Sequence, residues 1–235
     1  GIDYDLKDKH RLGLSYQEGQ VKTAYEEYDR RAISFSSNYD SSNIRVANKL
    51  EYRVDTKSAN DAEQFVSTNS VSYKLTDSFR IISSFDYLVS KDRRTDQTIQ
   101  KDIELEIGFA YRPVKHNRFN WLGKYIYIEN KDDTGRSIDR TYEKKHILMT
   151  EAAYKLNAKW TVGSKIGYKK DTYQYQASNN INITNEVLFY GLRAEYQIIK
   201  EWDLLIEYRG LHDLTSNDFR QGAVVGIYRS FGNNF

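Results

Sequence analysis

The sequence predicts an all-β chain: an antiparallel, up-and-down barrel of about 12 strands, or a piece of a slightly larger barrel. Three observations carry this. Two-residue alternation of apolar and polar side chains runs almost throughout, while helical periodicity is hard to find. A Tyr stands before a tight turn at 4, 39, 73, 111, 154, 196 and 228, at intervals of 35, 34, 38, 43, 42 and 32 residues, one strand pair per interval. Short turns such as "DSSN", "KLTDS" and "KLNAK" then alternate with longer hydrophilic connections such as "VDTKSANDAEQ", "SKDRRTDQT" and "ENKDDTGRSIDR".

In chain order, strands are expected near 10–17, 26–38, 43–54, 65–75, 79–90, 99–112, 117–129, 141–155, 159–171, 184–197, 201–212 and 218–230. The third, "NIRVANKLEYRV", sets Ile44, Val46, Leu50, Tyr52 and Val54 against Arg45, Lys49, Glu51 and Arg53. In "DIELEIGFAYR", Ile103, Leu105, Ile107, Phe109 and Tyr111 oppose Asp102, Glu104, Glu106 and Arg112. "KWTVGSKIGYK" sets Trp160, Val162, Ile166 and Tyr168 against Lys165 and Lys169, and "EWDLLIEYR" sets Trp202, Leu204, Ile206 and Tyr208 against Asp203, Glu207 and Arg209. Successive side chains of a strand point to opposite faces, so each segment owns one apolar and one charged face.

Composition limits what those faces can meet. The 235 residues suit a single barrel domain spanning 1–235. A mean hydropathy of −0.76 with 29% charged residues would fit disorder, but 20 Tyr, 10 Phe and 3 Trp contradict it. With no Cys there are neither disulfides nor thiolate sites, and the single Pro leaves little room for irregular linkers. A net charge of +2 with interleaved signs is no nucleic-acid footprint. No apolar run exceeds four residues, which excludes a membrane-crossing helix.

A soluble meander or lipocalin-like barrel would turn its apolar face inward. Twelve strands, however, enclose more space than side chains fill. The membrane version fits strands of 10–13 residues, since roughly 9–11 cross a bilayer. It also fits the aromatic residues gathered at the turn-proximal ends, expected as an interfacial girdle: Tyr73, Tyr111, Trp121, Tyr154, Trp160, Tyr196, Trp202 and Tyr228. The predicted class is thus a transmembrane β-barrel with short periplasmic turns and long extracellular loops. Its partner is a lipid bilayer, its expected place the bacterial outer membrane.

The Tyr-terminated meander, and "KEWDLLIEYRGLHDLTSNDFRQGAVVGIYRSFGNNF" (200–235) in particular, resembles bacterial outer-membrane β-barrel proteins, among them the C-terminal barrel region of large bacterial surface proteins. The resemblance covers nearly the whole chain and carries no catalytic motif. It implies a closing aromatic residue read by the insertion machinery, a place Phe235 fills. "GNN" (232–234) reads as a turn, however, so Phe235 would open a further strand, and "GIDYDL" reads as the tail of an earlier one.

If the apolar face is outward, the interior receives Arg45, Lys49, Glu51, Arg53, Arg80, Asp86, Asp102, Glu104, Glu106, Lys124, Glu151, Lys165, Arg193, Glu195, Asp203, Glu207 and Arg209. Such charges either pair across a narrow lumen and plug it, or set an electrostatic profile for solutes in a wet one. Acids Asp86, Asp102, Glu104 and Glu106 against bases Arg45, Lys49 and Arg53 predict a transverse field. The first functional reading is a polar, charge-lined pore for ions or small hydrophilic solutes. The second is a membrane anchor or scaffold with a closed lumen, whose loops or flanking domains bind partners.

Enzymatic chemistry is not expected. His10, His116, His146 and His212 lie far apart, none at a metal-ligand spacing from another, and no Ser stands beside His146 to build a triad. Neither a G-x-S-x-G nor a phosphate-binding Gly loop occurs. "NKDDTGRSID" (130–139) has the carboxylates and Gly135 of a calcium loop, but Thr141 stands where the twelfth-position Glu belongs. No metal and no cofactor are therefore expected.

Overall fold

The computed structural model describes residues 1–7, 9–22, 27–56, 61–132, 142–175 and 181–229, with the side chains of Lys7, Tyr175 and Ile181 left aside. They form one antiparallel sheet of thirteen strands in chain order. These are β1 (Ile2–Lys7), β2 (His10–Lys22), β3 (Glu27–Asp40), β4 (Ile44–Thr56), β5 (Ala62–Thr76), β6 (Phe79–Asp92) and β7 (Thr98–Tyr111). They continue as β8 (Phe119–Asp132), β9 (Tyr142–Lys155), β10 (Trp160–Tyr175), β11 (Ile181–Ile199), β12 (Trp202–Asp213) and β13 (Asp218–Arg229). The strand beyond the expected twelve is β1, the "GIDYDL" segment, which pairs with β2 from Ile2↔Leu14 to Lys7↔His10.

Two expectations change in detail. Several segments expected as loops are ladder: "QEGQVKTAYEEYDR" is β2 up to Lys22 and β3 from Glu27, and β11 alone has 19 residues. Their polar residues still alternate two by two, and paired strands satisfy backbone groups as well outside a bilayer as within it. Closure also differs from a sealed barrel. Among the described residues each strand pairs only with its chain neighbours. β1 and β13 run in the same direction, so joining them would take a parallel pair. "GNN", Phe235 and most of the calcium-loop segment lie outside the described residues.

Register holds one phase across the whole sheet. Partners directly opposite share a face, and the row Leu50–Ser67–Tyr87–Ile103 or Tyr125–Leu148–Tyr168–Leu188 can be followed strand by strand on one side. The other side carries rows such as Thr68–Asp86–Glu104 and Glu151–Lys165. Exposure decides what each side meets. Leu148 is 57% and Ile166 49% exposed, while the acidic residues Asp55, Asp171 and Glu207 are 1%, 1% and 5% exposed. Side chains crowd on the concave side of a curved sheet, so the charges are inside and the apolar residues outside.

The outer face is banded. At the short-turn end stand Tyr73, Tyr111, Trp121, Tyr154 and Trp160; eight residues further along their strands come Phe65, Ile103 and Tyr168 on β5, β7 and β10. Eight steps of ~3.4 Å give roughly 27 Å of strand, or about 21 Å of height at a ~40° tilt, close to the ~25 Å apolar band of an outer-membrane barrel. Beyond the second row the same face turns ionic, with Arg31–Glu18 at 2.9 Å, Lys101–Glu129 at 3.4 Å and Lys170–Glu186 at 2.8 Å.

Candidate functional site

The polar face holds all seventeen charged residues expected inside, Glu51 and Arg80 included, because their registers place them on one side of the ladder. The structure sorts them into two groups. On β4, Lys49 Nζ lies 2.5 Å from Glu51, which also receives Arg53, and Arg45 pairs with Asp40 at 3.1 Å. The basic side of the expected transverse field is thus neutralised where it stands. Among the acids, Glu106 takes Lys124 at 2.7 Å and Asp102 accepts Gln100 Nε2 at 2.8 Å. Asp86 and Glu104 face each other directly across β6 and β7, both exposed, with no ion pair recorded for either among the described residues. Opposed like charges repel, so this pair persists only where water or ions reach it.

The second group lies on β10–β12. Lys165 Nζ and Arg209 both bond Glu207, each at 2.6 Å. Lys165 reaches across β11 because Gly191 lies beneath it: a Cβ there would come within 2.7 Å of the lysine Cε. Beside them Arg193 pairs with Glu195, which accepts the Tyr228 hydroxyl at 3.0 Å. Glu151 and Asn120 complete the rim of a cleft of about 390 Å³ whose floor includes Gly163 and Gly191. Asp203 stands at the short-turn end of the same face, opposite Tyr228.

That last register corrects one expectation. Of the eight girdle aromatics, seven are on the outer face, but Tyr228 points to the polar side. On β13 the outward phase is Phe219, Val225, Ile227 and Arg229. "AVVGIY" has apolar residues in both phases, so alternation there does not fix the face, and a one-residue slip reverses it. Other polar-face pairs join residues not singled out from the sequence. Arg30 grips Asp55, one residue past the expected end of its strand, at 2.7 and 2.8 Å. Within expected strands Lys169 holds Asp171 at 2.6 Å and Lys145 holds Glu143 at 2.8 Å. Continuing the odd phase of 45–53 to Asp55 would have found the first of these.

The histidines stay apart. His10 bonds Ser37 at 2.9 Å, His146 bonds the Tyr125 hydroxyl at 2.9 Å, His212 bonds Asn217 at 3.1 Å, and His116 sits in the 112–118 turn. Among the described residues no group of three His, Cys, Asp or Glu side chains is arranged to hold a metal ion.

Comparison with known proteins rests on shape. No protein-family model matches the sequence, and no curated protein matches it. The crystal structure of the siderophore receptor PirA from Pseudomonas aeruginosa overlays with a TM-score of 0.69 at 9% identity, covering 98% of this chain. The fold is that of a bacterial outer-membrane β-barrel. PirA from Acinetobacter baumannii gives a TM-score of 0.68 at 7% identity, again over 98% of this chain. The chain spans 44% and 42% of those two receptors. The NanC porin aligns over 93% of this chain at 13% identity, with a TM-score of 0.41. With that fold and an apolar convex face, the outer membrane is the environment that the band of the preceding section meets.

Proposed function

We propose that the chain builds the wall of a wide outer-membrane barrel whose polar face lines a wet passage for ions or small hydrophilic solutes. One observation carries this. The recorded polar-face ion pairs lie in the plane of the wall, along one strand (Lys49–Glu51, Arg209–Glu207, Lys169–Asp171) or one to two strands over (Lys124–Glu106, Lys165–Glu207). Charges that satisfy each other within the wall do not reach across the interior to plug it. The likeness in fold to siderophore receptor barrels, which are larger than this chain, supports a wide interior over a narrow one.

The bare Asp86–Glu104 pair gives this passage a cation preference, as acidic side chains do in pores. The full chain, folded in detergent and inserted in planar bilayers, should give steady stepwise openings. Their reversal potential in a salt gradient should report cations. In D86N/E104Q it should move toward zero. A protein that folds and inserts yet never opens is an anchor or scaffold instead, and the pore reading fails. An unchanged reversal potential in the double variant removes the role given to the acids.

A further inference from the structure

The outer face has one feature that a uniform apolar band does not require. Between β6 and β11 a groove of about 600 Å³ is sunk into it, lined by Phe79, Phe109, Trp121, Leu148, Ile166 and Leu188 among others, with almost no polar surface. Its short-turn end is a packed aromatic cluster. Phe79 and Phe109 stack at 5.8 Å, Phe109 meets Trp121 edge-on at 4.7 Å, and Trp121 Nε1 donates to Thr150 Oγ1 at 2.7 Å. The Phe109 ring lies flat against the wall because Gly123 has no side chain to lift it. The depression is therefore bounded by aromatic residues packed against one another and against the wall.

The turns at that end carry a matching charge. Residues 112–118, "RPVKHNR", join β7 to β8, and 155–159, "KLNAK", join β9 to β10. Together they hold Arg112, Lys115, Arg118, Lys155 and Lys159 with no carboxylate, and all five are exposed. The other short turns carry or adjoin an acid, as Asp40, Asp77 and Glu201 show. These two turns give the short-turn edge beyond the groove a basic character. Lys159 Nζ lies over the outer-face ring of Tyr196 at 5.9 Å, while Arg112 shares a separate cleft with Arg80 and Asp77. Among the described residues no other short-turn pair lacks an acid in this way.

We propose that this face holds one anionic phospholipid from the leaflet at the short turns, its acyl chain seated in the groove and its headgroup phosphate on the basic turns. Each half supplies what the other lacks. Acyl burial in a preformed groove gains contacts that the bulk bilayer offers less closely, while surface lysines and arginines favour an anionic headgroup over a zwitterionic one. Retention of lipid is independent of whether the polar face conducts, so the two readings fail separately.

The test is native mass spectrometry of the full chain in detergent, after exposure to phosphatidylglycerol or phosphatidylcholine of the same acyl composition. One phosphatidylglycerol should stay bound and phosphatidylcholine should not. K115Q/R118Q/K159Q should lose the lipid by removing the headgroup charges. L148W should lose it by filling the groove, with heat-modifiable gel migration showing that both variants fold. Equal retention of the two lipids, or undiminished retention in either folded variant, overturns the proposal. So does release of the lipid by inorganic phosphate alone, which would reduce the site to a phosphate site.

Discussion

Lys165 and Ile166 are neighbours on β10 and opposites in the wall. Ile166 stands half-exposed on a face that offers hydrocarbon nothing to bond. Lys165 is drawn across a glycine into a carboxylate that a second cation already holds. The two faces are ordered by different means. The outer one needs only apolar surface of the right height, so its residues vary freely among Leu, Ile, Tyr and Phe. On the inner one most ionised groups are satisfied by partners on the same strand or one to two strands over, with Asp86 and Glu104 the exception. The difference explains why the residues that usually form a protein's core are here the exposed ones, while acids are among the least accessible side chains. The described hydrophobic core proper consists of little more than Ala32 and Ala62.

The largest expected effect tests which solvent each face meets. Ile166→Arg puts a charge within the apolar band, two residues from its Tyr168 edge. It should cost about 1–2 kcal/mol of unfolding free energy in lipid, between the midplane and interface values for arginine. Thr68→Arg, on the polar face directly opposite Asp86, should cost nothing measurable or stabilise slightly by giving that acid a partner. Urea unfolding of both variants in vesicles decides. If Arg at 166 is tolerated as well as Arg at 68, the assignment of faces is wrong.

The next effect separates the two stretches of the polar face. Glu207→Gln removes the acceptor shared by Lys165 and Arg209 and should cost about 1.5 kcal/mol, the lower range for hydrogen bonds to a charged group, since both cations stay partly exposed to solvent. D86N/E104Q removes two acids that repel each other and should leave stability unchanged or raise it by a few tenths of a kcal/mol. Equal losses from both would mean that Asp86 and Glu104 are held by cations, and the contrast between the stretches would vanish.

Much of this was legible in the chain. A period of two is conspicuous when one face must be apolar and the other charged, so the meander, the strand order and the membership of each face follow from it. Lys165, Glu207 and Arg209 were assigned to one side from "KWTVGSKIGYK" and "EWDLLIEYR" alone. Their mutual bonding was not, because it depends on the register between β10, β11 and β12 and on the absence of a side chain at Gly191. Tyr228 went to the wrong face for the reverse reason: "AVVGIYR" is apolar in both phases, so period two carries no information there. The count of twelve full strands left out β1, whose Ile2, Tyr4 and Leu6 alternate with Asp3, Asp5 and Lys7, because at six residues it read as the tail of an earlier strand. The groove beneath Trp121 and Phe109 has no signature along one strand at all, since it is assembled from residues of six.

The smallest expected effect lies beyond the second aromatic row, where two hairpins are closed alike. Asp92 Oδ1 accepts the backbone N–H groups of Arg94 and Thr95 at 2.8 and 2.9 Å, and Asp213 Oδ1 those of Thr215 and Ser216 at 2.9 and 3.0 Å. In both loops a residue four further on, Asp96 or Asn217, takes a left-handed backbone (φ 54° and 56°), a conformation that Asp and Asn tolerate better than most. Bonding from Thr95, then from Arg94, holds the Asp92 carboxyl below the usual range, and bonding from Ser216 does the same for Asp213. A carboxyl lowered on folding adds stability that is complete above its ordinary value near pH 4 and is lost as pH falls through the lower folded value. Hydrogen-exchange protection of the Thr95 and Ser216 amides, corrected for intrinsic rates, should therefore be flat above about pH 5 and fall toward about pH 3. D92N and D213N should each flatten that dependence in its own loop and leave the other untouched. Protection that stays level to the acid end in the unsubstituted chain would show that the turn backbone alone closes these hairpins, with the carboxylates as bystanders.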